Sequence, residues 1–155
     1  MLRGYITNLG EYNNGTLVGK WVEFPTTDTL EEVLEDIGSP EEYFFADYDN
    51  DTDIDLGEFE DFGRLNDLAE RLEGVDTDLI AAYVEAYSND IEDALDHIDD
   101  VLWYPGYTLE DVAIEIANDC YNIPEEIAAY FDYKKFAQDL RYDGYYETAT
   151  GVIYY

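Results

Sequence analysis

Along most of the chain an apolar residue recurs every three or four positions, and the positions between are filled with acid. Residues 89–104, NDIEDALDHIDDVLWY, set the pattern. At 3.6 residues per turn Ile91, Ala94, Leu95, Ile98 and Leu102 form one stripe, and Glu92, Asp93, Asp96, Asp99 and Asp100 take the opposite face. The spacing predicts a core-facing helix with an acidic outer wall. Leu30, Val33, Leu34 and Ile37 predict a second helix, capped by Thr27 or Asp28, with Glu31–Glu35 and Glu32–Asp36 as acidic pairs four residues apart. Leu65, Leu68, Ala69 and Leu72 predict a third, closed by Gly74, and Leu79, Ile80, Tyr83 and Tyr87 a fourth after the Asp76-Thr77 cap. Thr108 caps a fifth, with Leu109, Val112, Ala113, Ile116, Ala117 and Cys120 inward and Asp111, Glu115 and Asp119 outward. Pro124 opens another helical start with Glu125 and Glu126 in its first turn, and a last helix covers 136–140.

Period-two patterning marks the strands. Residues 4–9 and 16–24 read as a hairpin turning at Asn13-Asn14-Gly15, with the aromatic run 43–48 as a third strand beside it. Residues 145–155 read as a closing hairpin. The expected fold is α+β in three small subdomains: 1–60, a small antiparallel sheet with one helix; 61–104, a central acidic helical unit; and 105–155, helices plus a hairpin.

Charge changes this picture most. Asp and Glu number 39 against 7 Lys and Arg, a formal net charge of -32 over 155 residues. Apolar residues still make up 46%, with 16 Tyr, 7 Phe and 2 Trp, so the acid belongs to a folded surface and not to a disordered tail. Such a surface repels nucleic acid, acidic membranes and phosphorylated substrates. Acids four apart on a helix cost about a few tenths of a kcal/mol per pair, and the chain repeats that unfavourable choice on three helices. No signal peptide is expected, no 18-residue apolar run is present, and the single Cys120, expected in the core, forms no internal disulfide; the expected compartment is the cytoplasm.

Candidate chemistry is sparse. Asp47, Asp49, Asp51, Asp53, Asp55 and Glu58 fall at positions 1, 3, 5, 7, 9 and 12 of a calcium loop, which makes an acidic calcium-binding module the alternative reading. Against it, Thr52 stands where that loop needs a positive φ, and 43–46 reads as strand instead of an entering helix. His97 is the one histidine, expected to be packed or half-exposed, so no Ser-His-Asp array with a second histidine and no His-Cys metal cluster can be assembled. Among so many acids any glycosidase-like pair is uninformative. No metal and no cofactor are expected.

What remains is the acid wall. Carboxylates four apart on a helix are about 6 Å apart along the axis, close to the spacing of consecutive phosphates on one strand. A globule of this size exposes on the order of 8,000 Å², roughly one acid per 200 Å². A duplex carries roughly one charge per 110 Å², and concentrating the acids on one side closes the gap. Glu31, Glu35, Asp47, Asp49, Asp51, Asp53, Asp55, Glu58, Glu92, Asp96, Asp100, Asp111, Glu115, Asp119, Glu125 and Glu126 are the expected phosphate stand-ins. An acidic surface serving only solubility is the competing reading. Trp103, Tyr104, Tyr107, Tyr145, Tyr154 and Tyr155 exceed what a small subdomain needs and are the expected subunit interface.

The chain also resembles a known family, the ArdA antirestriction proteins. The likeness is carried at the front by Tyr5-Ile6-Thr7-Asn8-Leu9-Gly10-Glu11-Tyr12-Asn13, Leu17-Val18-Gly19-Lys20-Trp21 and Phe24-Pro25. At the back it is carried by Ile123-Pro124-Glu125-Glu126-Ile127, Tyr130-Phe131-Asp132-Tyr133 and Phe136-Ala137-Gln138-Asp139-Leu140. The resemblance implies an elongated, curved protein, dimeric through its C-terminal subdomain, that imitates bent duplex DNA. It further implies a non-enzymatic role: occupying the DNA-binding groove of type I restriction-modification enzymes and so protecting incoming mobile DNA.

Overall fold

The computed structural model describes residues 1–52 and 54–155. It is α+β, and the chain divides into two compact units, Met1–Val75 and Asp76–Tyr155.

In the first unit β1 (Leu2–Asn8) is the middle strand, paired antiparallel with β2 (Gly19–Phe24) on one side and β3 (Tyr43–Asn50) on the other. The expected strand pairing is found, but the tight Asn-Gly turn is not. Instead Leu9–Asn13 form a short helix, α1. Asn8 is the reason: its side-chain carbonyl accepts from the Glu11 amide at 3.0 Å while its NH2 donates to the Ile37 carbonyl at 2.9 Å, so the chain turns helical where β1 ends. The positive φ falls on Gly15 alone.

The helix α2 (Leu30–Asp36) starts at Thr29, not at Thr27 or Asp28. Thr29 wins because Glu32 stands three residues on and closes a capping box with it. One face of the sheet buries Leu2, Ile6, Val22, Phe24 and Phe45 against Val33 and Ile37. α3 (Phe62–Leu72), which the sequence pattern groups with the central helices, adds Phe62, Leu65 and Ala69 to this same core, its Phe62 ring 5.3 Å from that of Phe24.

In the second unit the closing hairpin supplies the organising strand. β6 (Gly151–Tyr154) lies between β4 (Leu102–Pro105) and β5 (Tyr146–Glu147), antiparallel to both. Its neighbours Val152 and Ile153 point to opposite faces, and both are fully buried. Val152 packs with Leu109, Val112 and Ala113 of α6 (Leu109–Cys120) and Ala137 and Leu140 of α8 (Tyr133–Tyr142). Ile153 packs with Ala82 and Tyr83 of α4 (Thr77–Ala86) and Ala94 of α5 (Ile91–His97). The short α7 (Glu125–Ala128) follows Pro124.

Two expectations change here. The helix predicted over 89–104 stops at His97, followed by one 3-10 turn, Ile98–Asp100. Leu102, Trp103 and Tyr104 are β-prone and pair with Tyr154, Ile153 and Val152, which leaves Leu102 exposed instead of on the apolar stripe. Cys120 is exposed and not core, because it is the last residue of α6, where the stripe has run off the packed layer. Among the described residues no helix is long and apolar enough to cross a membrane.

Candidate acidic interaction surface

Helix caps aim much of the acid. On α2 the apolar side is fixed by Val33, which turns Glu31 and Glu35 outward, and both are exposed. Their neighbours have structural partners. Glu32 accepts from the Thr29 amide and hydroxyl at 2.8 and 3.0 Å, which holds its carboxyl below the ordinary range. Asp36 takes the Lys20 ammonium at 2.6 Å.

α6 repeats the design. Asp111 closes the capping box with Thr108, and the hydrogen bonds from the Thr108 amide and hydroxyl hold its carboxyl low. Glu115, half-buried one turn on, is the carboxylate that pushes the Tyr107 phenol pKa up. Asp119 follows, exposed. Together with Gly106, Tyr107 and Ile114 these three acids line one open groove on the outer face of α6. Glu125 and Glu126 are exposed in the first turn of α7.

The acid-rich stretch after residue 46 is not a loop throughout. Asp47 and Asp49 lie on β3, opposite Tyr5 and Arg3 of β1. Asp49 pairs with Arg3, and Asp51 with the amino terminus. The calcium-loop positions are thus partly extended strand, and no entering helix precedes them. Asp55 and Glu58 are exposed, and Asp53 lies outside the described residues. Among the described residues no three His, Cys, Asp or Glu side chains converge as a metal site.

On α5 Glu92 is half-buried and Asp96 exposed, while Asp100 has moved off the helix onto the 3-10 turn, so the expected row of three acids is broken after Asp96. Asp93 is occupied with the His97 ring at 3.3 Å. His97 is half-exposed; its Nδ1 hydrogen-bonds the Asp93 carbonyl at 2.9 Å, and this bond, with the surrounding carboxylates, raises its pKa.

The aromatic residues expected at a subunit interface divide. Trp103 packs beside Ala82, Tyr83, Ala94 and Ile153, and its indole N–H donates to Asp76 at 3.3 Å. Tyr145 stacks on Tyr154 with ring centres 4.4 Å apart, and Tyr104 lies against the Val152 core. Only Tyr107 and Tyr155 of the six are exposed, Tyr155 against Tyr83, Tyr87 and His97. The most exposed rings lie elsewhere: Tyr130 at 87%, Tyr142 at 79% and, in the first unit, Phe59 at 74%.

One surface escaped the sequence reading. The face of the first sheet turned away from Ile6 and Val22 carries Arg3 and Tyr5 of β1 with Glu23 and Trp21 of β2 and Asp49 and Asp47 of β3. The alternation of Leu2, Gly4 and Ile6 with Arg3, Tyr5 and Thr7 was its only signal, and register supplies the rest.

These features define a class: an α+β protein in which apolar clusters on the two sheets leave the helices and a sheet edge to turn carboxylates outward. The family described as antirestriction protein (ArdA) matches residues 4–154, and the chain belongs to that family. No curated protein matches it. Membership makes it an antirestriction protein, the expectation that its terminal blocks raised.

Proposed function

We propose that this protein acts as a double-stranded DNA mimic, without enzymatic activity of its own, that occupies the DNA-binding groove of type I restriction-modification enzymes. Family membership supports antirestriction. The observation that carries the mechanism is the outward acid of α2, α6 and α7: Glu31, Glu35, Asp111, Asp119, Glu125 and Glu126 are all exposed. A basic groove that meets such a surface exchanges its counterions as it does on DNA.

Average density alone is insufficient. Thirty-nine carboxylates over 9598 Å² average about one per 250 Å², against about one per 110 Å² on a duplex. Mimicry therefore depends on local concentration, as along Asp111, Glu115 and Asp119. The working form is a homodimer acting in the cytoplasm, with the exposed rings Tyr107 and Tyr155 as its contact candidates.

Competition with duplex DNA for a purified type I methyltransferase, repeated across a salt series, tests the reading. Displacement of DNA that weakens steeply with salt supports it. Absence of displacement at every salt concentration refutes it.

A further inference from the structure

Strand register gathers six side chains on the open face of the first sheet. Arg3 lies between Glu23 on one neighbouring strand and Asp49 on the other, and Tyr5 lies between Trp21 and Asp47. The Arg3 guanidinium carbon sits 5.4 Å from the centre of the Trp21 ring, which itself meets Tyr5 edge-on at 5.4 Å. This is a ring surface flanked by carboxylates, the chemistry that holds a guanidinium by stacking and charge together.

Arg3 fills the place imperfectly. It pairs with Asp49, yet its Nε is buried and has no hydrogen-bond partner among the described residues. A buried donor left unpaired is costly, so a guanidinium entering from outside, free of the geometry that β1 imposes, can satisfy more of its five donors. The indole is 43% exposed, so an incoming side chain can reach it.

We propose that this open sheet face is an arginine seat, in which Trp21 and Tyr5 supply the ring surface and Glu23, Asp47 and Asp49 the charge. Arg3 is the chain's own placeholder, and the ligand is an arginine side chain projecting from the DNA-binding groove of the target enzyme. This rests on the DNA-mimic reading and deepens it: the surface offers selective contacts for arginine, beyond what phosphate-like charge supplies. A sequence-blind duplex backbone attracts lysine and arginine by charge, whereas the indole favours the planar guanidinium.

The test is calorimetry of the full chain with hexa-arginine and hexa-lysine peptides at fixed salt. Arg3→Lys leaves net charge unchanged and weakens the placeholder. It is expected to raise affinity for hexa-arginine about two- to five-fold while leaving hexa-lysine unchanged. Arg3→Gln should give the larger arginine-selective gain, and Trp21→Ala added to it should remove the selectivity. Lys20→Gln is the charge control: Lys20 pairs with Asp36, and its register partner is Ile6 on the other face of the sheet, so both peptides should gain alike. Equal behaviour of Arg3→Gln and Lys20→Gln, with no arginine preference in either, overturns the seat. Thermal melts confirm that each variant is folded, and Arg3→Lys retains the ion pair if Arg3→Gln does not fold. In the enzyme competition, displacement by the wild type with no extra gain for Arg3→Lys overturns the seat alone. No displacement by the wild type refutes the DNA-mimic reading, and an arginine-selective peptide result would then stand without it.

Discussion

The indole of Trp103 lies across Gly151, its Cη2 2.7 Å from where a β-carbon on that glycine would stand. The Tyr104 carbonyl is closer still, 2.4 Å from the same point. Gly19 repeats the relationship in the first sheet, with the Ile6 carbonyl at 2.4 Å and the Tyr5 ring at 2.8 Å. In both sheets a strand glycine lets a neighbouring ring close over the ladder. Gly151→Ala and Gly19→Ala are expected to cost about 1–3 kcal/mol each, because paired backbone cannot retreat as a flexible side chain can. Gly10→Ala, whose added carbon meets nothing nearer than 3.5 Å, should be neutral or stabilising. Urea midpoints decide between these outcomes.

The capping boxes of α2 and α6 should be measurable one at a time. Thr29→Ala and Thr108→Ala remove the hydroxyl that accepts from the Glu32 and Asp111 amides, and each is expected to cost about 1 kcal/mol.

The carboxylate half of each box has its own pH signature. Glu32 and Asp111 have folded-state pKa values below the ordinary ones, chiefly through the amides of Thr29 and Thr108. Their contribution is therefore complete above the unfolded pKa and disappears as pH falls through the folded value. The stability of the whole chain also gains as its self-repulsion relaxes in acid, so the difference between wild type and Glu32→Gln or Asp111→Asn is the quantity to follow. It should be constant near pH 7 and shrink below about pH 4. A difference that persists unchanged at pH 2 would contradict this account.

His97 carries the opposite sign. Its pKa is raised, first by the hydrogen bond to the Asp93 carbonyl and then by the carboxylates of Asp93, Asp96 and Asp100. Its stabilisation is complete below the unfolded value, about pH 6.5, and is lost as pH rises through the folded one. An NMR titration of the single histidine should give a midpoint above that of a free peptide, and His97→Gln should destabilise more at pH 6 than at pH 9.

Inhibition should be insensitive to any one carboxylate. Binding spread over many charges loses about one counterion-release increment per neutralised acid. Glu115→Gln is expected to change affinity for the restriction enzyme little, whereas amides at Glu31, Glu35, Asp111, Asp119, Glu125 and Glu126 together should abolish it. Loss of inhibition on Glu115→Gln alone, with the fold intact, would mean that one site dominates.

The sequence by itself determined the local elements and the sign of the surface. Stripes such as Leu109, Val112, Ala113 and Ala117 and the Thr108 to Asp111 box depend on neighbours within four residues, which the chain carries in order. Family membership was legible for a similar reason, since the two blocks that carry it are contiguous stretches. Tertiary structure decided what depends on distant partners. Whether 102–104 would continue a helix was settled by β6, some fifty residues away, whose open edge those β-prone residues complete. The same pairing packed Trp103 against the Ile153 core, while Cys120 stays outside because α6 ends there. The grouping of Arg3 with Trp21 and Asp49 likewise exists only in strand register, because residues far apart in sequence share a face only once hydrogen bonding has aligned their strands.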